Sequence, residues 1–164
     1  MTPATHRYAI ALGSNRPHGR HGRPEGVIEA AVDALGELGA VERVSAIHRT
    51  DAMGPAGRQF ANAALILASD LAPAALLAAL KAMEQDFGRR PGRRWGARVL
   101  DLDIILWSGG RFDGPNLAIP HPAMATRDFV LRPLREIAPD WRDPRTGATV
   151  RHLTARLTAS PDAG

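Results

Sequence analysis

Two aspartates stand two residues apart in the otherwise apolar stretch VLDLDIILW. Residues two apart on a β-strand project from the same face, so Asp101 and Asp103 point together while Leu102 points to the other side. Two carboxylates roughly 7 Å apart at the backbone repel each other unless a cation lies between them. Magnesium prefers octahedral oxygen ligands and fits such a pair. We therefore predict that Asp101 and Asp103 are metal ligands; a solvated edge strand is the alternative.

Five arginines stand immediately before the acid pair, in the segment GRRPGRRWGARVLDLD. No acid separates them, and guanidinium groups bind phosphate through charge-assisted hydrogen bonds of about 1.5 to 3 kcal/mol. A metal site beside a cationic cluster suits a polyphosphate, because phosphoryl transfer needs in-line positioning and cancellation of phosphate charge. Arg98 is the strongest candidate, whereas Arg90 and Arg93 are better explained as solvated surface charges.

His121 lies between two prolines in the segment IPHP. The prolines restrict its backbone and hold its ring, which suits a donor to a phosphate or to an adenine edge. A lone histidine in a loop is more often structural, and that interpretation is preferred for His18, His21 and His48.

Phe60, Asn62 and Phe129 could recognise a flat heterocycle. Aromatic residues make up only 5% of the chain, so two such rings are less easily explained as redundant core. Their faces could sandwich a planar ring, and Asn62 projects from the same strand face as Phe60 with both a donor and an acceptor. Plain core packing is the alternative. Trp95, in a loop rich in helix breakers, is interpreted as a lid residue.

The bulk composition predicts one domain over residues 1–164, with an ordered core over about 6–153 and a frayed C-terminal end. There is no cysteine, which excludes disulfides and thiolate metal sites. The net charge of +4 comes from arginine, since Lys81 is the only lysine, and is weak evidence for nucleic-acid binding. Neither a long apolar run nor a signal-like N-terminus is present, so we expect a soluble, cytoplasmic protein without a membrane partner.

Hydrophobic periodicity and turn residues predict an alternating series of strands and helices. Strands are expected over 7–12, 41–50, 60–71 and 99–107, helices over 25–38, ended by Gly39, and over 73–88, and a short helical piece over about 126–131 before Pro133, followed by a poorly patterned tail. The order of these elements matches an α+β, ferredoxin-like antiparallel sheet with two helices on one face. A doubly wound parallel sheet is the alternative.

Four segments together resemble the 6-hydroxymethyl-7,8-dihydropterin pyrophosphokinase family: ALGSN, HRTDAMG with FANAA following, RWGARVLDLDIILW, and IPHPAMATRDFVLRPLREIAPD. They occur in order from about Tyr8 to Asp140. The resemblance implies a ferredoxin-like fold, ATP as the pyrophosphoryl donor, two Mg²⁺ ions, and a dihydropterin alcohol as acceptor. The products would be AMP and the pterin diphosphate, in a step of folate biosynthesis.

The resemblance also assigns roles to individual residues. Asp101 and Asp103 would bridge both metals and, with Arg89 and Arg98 on the triphosphate, form the catalytic set. The nucleotide would be bound by Glu84, Arg89, Arg98, His121 and Arg127, and the pterin by Thr50, Met53, Phe60, Asn62, Trp95 and Phe129. The chain departs from the family pattern at Asp51, Pro91, Gly92 and Ala123, which concerns loop and phosphate contacts but removes no metal ligand.

With the substrates and metals that the resemblance implies, we hypothesise that the pterin hydroxyl attacks the β-phosphorus of ATP directly while two Mg²⁺ ions hold the attacking and leaving oxygens. No general base is evident. Two other functions are weighed: a metal-dependent phosphoesterase with the same carboxylates, and an RNA-binding module on a ferredoxin-like sheet. We expect no nucleic-acid partner, and a monomer.

Overall fold

The computed structural model describes residues 5–15, 23–51, 59–88 and 99–159. In chain order the elements are β1 (His6–Ser14), α1 (Pro24–Leu35), β2 (Ala40–Val44), β3 (His48–Asp51), β4 (Gln59–Ser69), α2 (Pro73–Gly88), β5 (Asp101–Trp107), β6 (Phe112–Gly114), β7 (Leu117–Ile119), a 3₁₀ turn (Met124–Thr126), α3 (Asp128–Ile137) and α4 (Val150–Ala159).

The main sheet is antiparallel in every pairing, with the strand order β2-β4-β1-β5 and with β3 also paired to β4. Strand β1 is central: Leu12 lies opposite Ala63 of β4 on one side and opposite Leu102 of β5 on the other. The α+β, ferredoxin-like prediction is therefore confirmed, and the parallel alternative is wrong. Strands β6 and β7 form a separate small hairpin.

Helices α1 and α2 cover one face of the sheet, as predicted. Alternate residues of the strands, such as Ile10, Leu65 and Leu102, form a buried core with these helices. A second helical layer, which was not predicted, covers the other face, where Ile66 and Ile105 pack against α3 and α4. The sheet is therefore buried from both sides over much of its length.

The predicted strand over 41–50 is in fact two strands, because the ladder is interrupted around Ser45. There the Ser45 backbone N–H donates to the Ala64 carbonyl at 2.9 Å, and the Ser45 hydroxyl accepts from the Ala64 N–H at 2.9 Å. The Ser45 hydroxyl thus accepts a hydrogen bond from β4 that a backbone carbonyl would accept in a regular ladder. Strand β3 resumes the pairing with β4 at His48, opposite Asn62.

Two predicted helix ends are wrong. Helix α1 ends at Leu35 rather than Leu38, and Gly39 serves a different purpose. A Cβ on Gly39 would lie 2.1 Å from the Ala68 carbonyl oxygen, so this glycine permits the close approach of the chain to β4.

Pro133 lies inside α3, which therefore runs from Asp128 to Ile137 instead of stopping near Leu131. The proline removes one backbone hydrogen bond, but the helix buries an apolar face that includes Leu134 and Ile137. That burial outweighs the lost bond. The tail that lacked a clear pattern contains α4, while the predicted frayed end beyond residue 159 lies outside the described residues.

Candidate active site

A cavity of about 620 Å³ opens where strands β4, β1 and β5 meet the second half of α2 and the start of α3. Eight of the residues singled out in the sequence line this cavity: Phe60, Asn62, Glu84, Asp101, Asp103, His121, Arg127 and Phe129. They come from five separate parts of the chain. The topology of the sheet therefore brings together side chains that the sequence holds up to 69 positions apart, from Phe60 to Phe129.

Asp101 and Asp103 lie on the same face of β5. Asp101 is opposite Gly13 of β1 and Asp103 is opposite Ala11, while Leu102 between them is buried in the core on the other face. Asp101 is exposed and Asp103 is half-buried. Both carboxylates thus face the cavity, as the alternation of the strand predicts.

The acid pair suits a metal that is shared with a substrate. Within the described ranges, no group of three or more histidine, aspartate or glutamate side chains could hold a metal ion. Two carboxylates therefore leave most positions of an octahedral ion to water and ligand oxygens, which is the usual arrangement for Mg²⁺ with phosphates. The donor set fits Mg²⁺ bound together with a polyphosphate.

Glu84 holds the outer edge of the strand that carries the two acids. Its Oε2 accepts a hydrogen bond of 2.8 Å from the backbone N–H of Leu102, the residue between Asp101 and Asp103. Strand β5 has β1 on its other side, so α2 supplies an acceptor that a further strand would otherwise supply. Glu84, expected at the nucleotide, thus also positions β5.

His121 is oriented by the backbone on both sides of its loop. Its backbone N–H donates to the Ile105 carbonyl of β5 at 3.0 Å. Its ring Nδ1 accepts from the Ala123 backbone N–H at 3.1 Å. Burial is the main cause that lowers the pKa of His121; Asp103 opposes this effect, and Arg127 adds to it. A neutral ring whose Nδ1 is an acceptor carries its proton on Nε2, which leaves Nε2–H as the donor to a ligand.

The aromatic part of the cavity lies over β4 and the start of α3. Phe60 and Asn62 are half-buried on β4, and Phe129 at the start of α3 is 48% exposed. The Arg127 Cζ lies 5.7 Å from the centre of the Phe129 ring, which is a cation–π distance. A large apolar ring left this exposed beside a cavity is available to a ligand.

Gly13 forms part of the floor between β4 and β5. It pairs with Asn62 on one side and with Asp101 on the other. A Cβ on Gly13 would lie 3.2 Å from the Asn62 Oδ1, so the asparagine amide leans over β1 where a larger residue would crowd it. The sequence analysis did not identify Gly13, although the turn-like GSN after the first strand was a signal.

Several predicted residues cannot be placed with the others. Met53, Arg89, Trp95 and Arg98 lie outside the described residues, as do Pro91 and Gly92. The backbone of Thr50 lies in β3 opposite Phe60, and Asp51 pairs with Gln59. Ala123, one of the predicted departures from the family pattern, contributes its backbone N–H to the His121 Nδ1. The assignment of individual residues to substrates stays a prediction.

The comparison with protein families decides which family these features represent. The model of the 7,8-dihydro-6-hydroxymethylpterin-pyrophosphokinase (HPPK) family matches residues 9–139. The chain belongs to this family. The match spans β1 to α3 and includes every described residue of the predicted site, and the resemblance inferred from the sequence is confirmed.

Individual HPPK relatives agree with this result. The chain is 42% identical over 136 residues to the 2-amino-4-hydroxy-6-hydroxymethyldihydropteridine pyrophosphokinase of Synechocystis sp., covering 80% of this chain and 70% of the relative. It is 42% identical over 161 residues to the protein of the same name from Pseudomonas aeruginosa, covering 96% and 94%.

Among solved structures, the fold is similar to the Plasmodium falciparum HPPK-DHPS with a TM-score of 0.73 at 14% identity, covering 93% of this chain. The chain spans 44% of that longer chain. At this identity the similarity supports the fold.

Proposed function

We propose that this chain transfers pyrophosphate from ATP to the hydroxymethyl group of 6-hydroxymethyl-7,8-dihydropterin, giving AMP and the pterin diphosphate in folate biosynthesis. Membership of the HPPK family and the names of the relatives support this activity. The observation that carries it in this chain is the shared cavity, which is lined by the acid pair of β5, by the aromatic residues Phe60 and Phe129, and by His121 and Arg127.

Under this proposal the pterin ring binds between Phe60 and Phe129, with its polar edge on the amide of Asn62. Thr50, Met53 and Trp95 complete this part of the site. The exposed ring of Phe129 supports the proposal, because burying it against a planar ligand gains apolar contact.

The nucleotide binds along the outer edge of β5. Glu84 and the His121 loop both hydrogen-bond to this edge, and Arg127 lies between His121 and Phe129 in the sequence. The neutral His121 offers Nε2–H to a phosphate oxygen, and Arg127, Arg89 and Arg98 offset phosphate charge.

Asp101 and Asp103 would hold two Mg²⁺ ions together with phosphate oxygens. When bound, such ions supply charge neutralisation on the polyphosphate. The chain itself orients the two substrates so that the hydroxyl oxygen faces the β-phosphorus. A bond forms between these two atoms, the bond from the β-phosphorus to the oxygen of the α-phosphate breaks, AMP leaves, and the hydroxyl proton passes to solvent.

One assay tests the proposal: purified protein, ATP, Mg²⁺ and the hydroxymethyl-dihydropterin, with AMP and the pterin diphosphate measured over time. Asp101→Ala and Asp103→Ala should abolish turnover while thermal unfolding stays close to that of the wild type, since Asp101 is exposed and Asp103 half-buried. AMP formed without the pterin would favour a phosphoesterase, and wild-type turnover in the double variant would contradict the role of the acids.

The quaternary state and location are also proposed. We infer a monomer that acts in the cytoplasm on small-molecule substrates and binds no nucleic acid. Within the described part of the chain, the helices are too short or too polar to cross a bilayer. Sedimentation at micromolar concentration tests the monomer, and a dimer would contradict it.

A further inference from the structure

Lys81 lies on the side of the acid pair that faces away from the aromatic residues. Across the sheet, β4 carries Phe60 and Asn62, β1 follows, and β5 carries the two acids at the outer edge. Neighbouring strands are about 4.8 Å apart, so the aromatic and acidic strands are separated by about 10 Å. Helix α2 reaches the cavity beyond β5, through Glu84 on the Leu102 N–H. Lys81 belongs to this far side.

The ammonium of Lys81 is held at the wall of the cavity by its neighbour on the helix. Lys81 precedes Glu84 by one turn, and its Nζ lies 3.9 Å from the Glu84 Oε1. The other oxygen of Glu84 is bound to β5, so the carboxylate that attracts the ammonium has a defined position. The Lys81 side chain is 59% exposed, and such an ion pair contributes little to stability. The charge of Lys81 therefore contributes little to folding stability, and the ammonium is accessible to a ligand.

The two described cations of the cavity lie on different sides of the acid pair. The described lining residues include three carboxylates, from Glu84, Asp101 and Asp103, and two permanent cations, from Lys81 and Arg127. Arg127 stacks on Phe129 toward the aromatic part, which leaves Lys81 as the described cation on the far side. A pterin ring is uncharged and lies on the other side of the acids. A phosphate group is the part of the substrates that an ammonium on the far side would bind.

We propose that Lys81 Nζ binds the α-phosphate of the nucleotide and offsets the negative charge that this group gains as AMP leaves. The proposal rests on the proposed function for the direction of the reaction. When the β-phosphorus bonds to the pterin oxygen, the electron pair of the broken bond stays on the α-phosphate oxygen. An ammonium on the leaving side stabilises that charge more strongly in the transition state than in bound ATP.

Binding of AMP tests this assignment without turnover. Lys81→Met keeps most of the length of the side chain and removes its charge, and we expect AMP affinity by calorimetry to fall about tenfold, the low end for a charge-assisted hydrogen bond. Adenosine affinity should stay unchanged, and Lys81→Arg should retain most of the AMP affinity. Arg151→Met is the matched control, because Arg151 is also 59% exposed and paired with an acid, but lies on α4. AMP affinity within twofold of the wild type in Lys81→Met would overturn the proposal.

Chemical labelling provides a second readout. In an acyl-AMP mixed anhydride, an amine beside the α-phosphate attacks the acyl carbon, an amide forms, and AMP leaves. Lys81 is the only lysine, so the other amine available in the chain is the N-terminus. We expect acylation of Lys81 that excess ATP blocks, located by peptide mass spectrometry. Acylation of the N-terminus alone, or of Lys81 without protection by ATP, would contradict the proposal.

These measurements separate the two proposals. If the wild type forms no AMP from ATP and the pterin, the proposed function fails. Binding and labelling by AMP derivatives still report on Lys81, because neither needs the pterin. If turnover is present and Lys81→Met binds AMP normally, the inference about Lys81 fails alone. In active protein, Lys81→Met should lower kcat while the KM for the pterin stays unchanged.

Discussion

The amide of Asn62 extends over a glycine, and this contact shapes the part of the cavity nearest to the proposed pterin. Gly13 lies between Asn62 and Asp101 in the sheet, so a side chain at this position would intrude between the ring-binding residues and the acids. The absence of a Cβ here therefore affects binding geometry rather than backbone conformation. Gly13 does not have a positive φ angle, which excludes turn strain as the reason for a glycine.

Gly13→Ala should raise the KM for the pterin by about five- to tenfold, because the new Cβ would lie 3.2 Å from Asn62 Oδ1 and displace the amide. The KM for ATP should change less. The Asn62→Ala background is the control: there Gly13→Ala should add little further loss, as expected for coupled neighbours. Equal losses in both backgrounds would show that Gly13 acts through another contact.

Tyr8 is fully buried, and its hydroxyl donates to the Leu71 carbonyl at 2.6 Å. Burial raises the pKa of Tyr8 from its ordinary value of 10.0 to about 12. The folded state thus favours the neutral phenol, whereas the unfolded chain ionises near pH 10. The contribution to stability is complete below pH 10 and is lost as pH rises from 10 toward 12.

We therefore expect the free energy of unfolding to fall over this alkaline range. Tyr8 is the only tyrosine, so tyrosinate absorbance reports on this group alone. The absorbance transition should occur at higher pH in native protein than in denaturant. Tyr8→Phe should show a smaller decrease in stability over the same range. Coincident absorbance transitions in the native and denatured states would contradict the expected shift.

Strand β5 shows how secondary-structure elements position the reactive groups. Its inner edge is paired with β1, and its outer edge is bound by Glu84 at Leu102 and by the His121 N–H at Ile105. Both edges thus have hydrogen-bond partners even though β5 is the last strand of the sheet. The two acids therefore project from a backbone that is held on both sides, which is what a preorganised metal site requires.

Glu84→Ala should lower stability by about 1 to 3 kcal/mol, because the partly buried Leu102 N–H would lose its acceptor. It should also lower kcat, since β5 would be held less firmly. Glu84→Gln keeps an acceptor oxygen and should recover most of the stability. Urea unfolding and AMP formation measure the two effects. Glu29→Ala, an exposed glutamate on α1, is the control. Equal stability of the Ala and Gln variants would show that the bond to Leu102 contributes little.

At the scale of the whole molecule, the candidate site lies where the layer formed by α3 and α4 stops covering the sheet. Helices α3 and α4 cover one face of the sheet at Ile66 and Ile105, whereas Asn62 and Asp103, farther along the same face, border the cavity. The first turn of α3 carries Phe129 and Val130 into the cavity wall. The layer that was not predicted therefore both supports the fold and defines one boundary of the site.

Because both layers share one sheet, we expect a single cooperative unfolding transition. Leu131→Ala in the α3 layer and Leu80→Ala in the α2 layer each remove a fully buried side chain and should cost about 2 to 5 kcal/mol. Circular dichroism and intrinsic fluorescence should report the same midpoint in both variants. Separate midpoints in either variant would mean that the two layers unfold independently. That result would contradict the prediction of a single domain.

Features that depend on neighbouring residues in the chain were predictable. The shared face of Asp101 and Asp103 follows from strand alternation, as does that of Phe60 and Asn62, and both hold in the structure. The motifs from ALGSN to RDFVL were specific enough for the family. Helix α3 was shortened in the prediction, because a local proline rule cannot weigh the burial of a face whose partner is a distant sheet.

Contacts between distant segments required the tertiary structure. The bond from Leu102 to Glu84 joins residues 18 apart, and its purpose appears only once β5 is known to be the outer strand. Lys81 was likewise an ordinary helix residue until α2 was seen to line the cavity. Local spacing sets which way a side chain points from its own element, because that depends on backbone geometry alone. Which side chains meet depends on strand order and helix layering, which arise from burial summed over the whole chain.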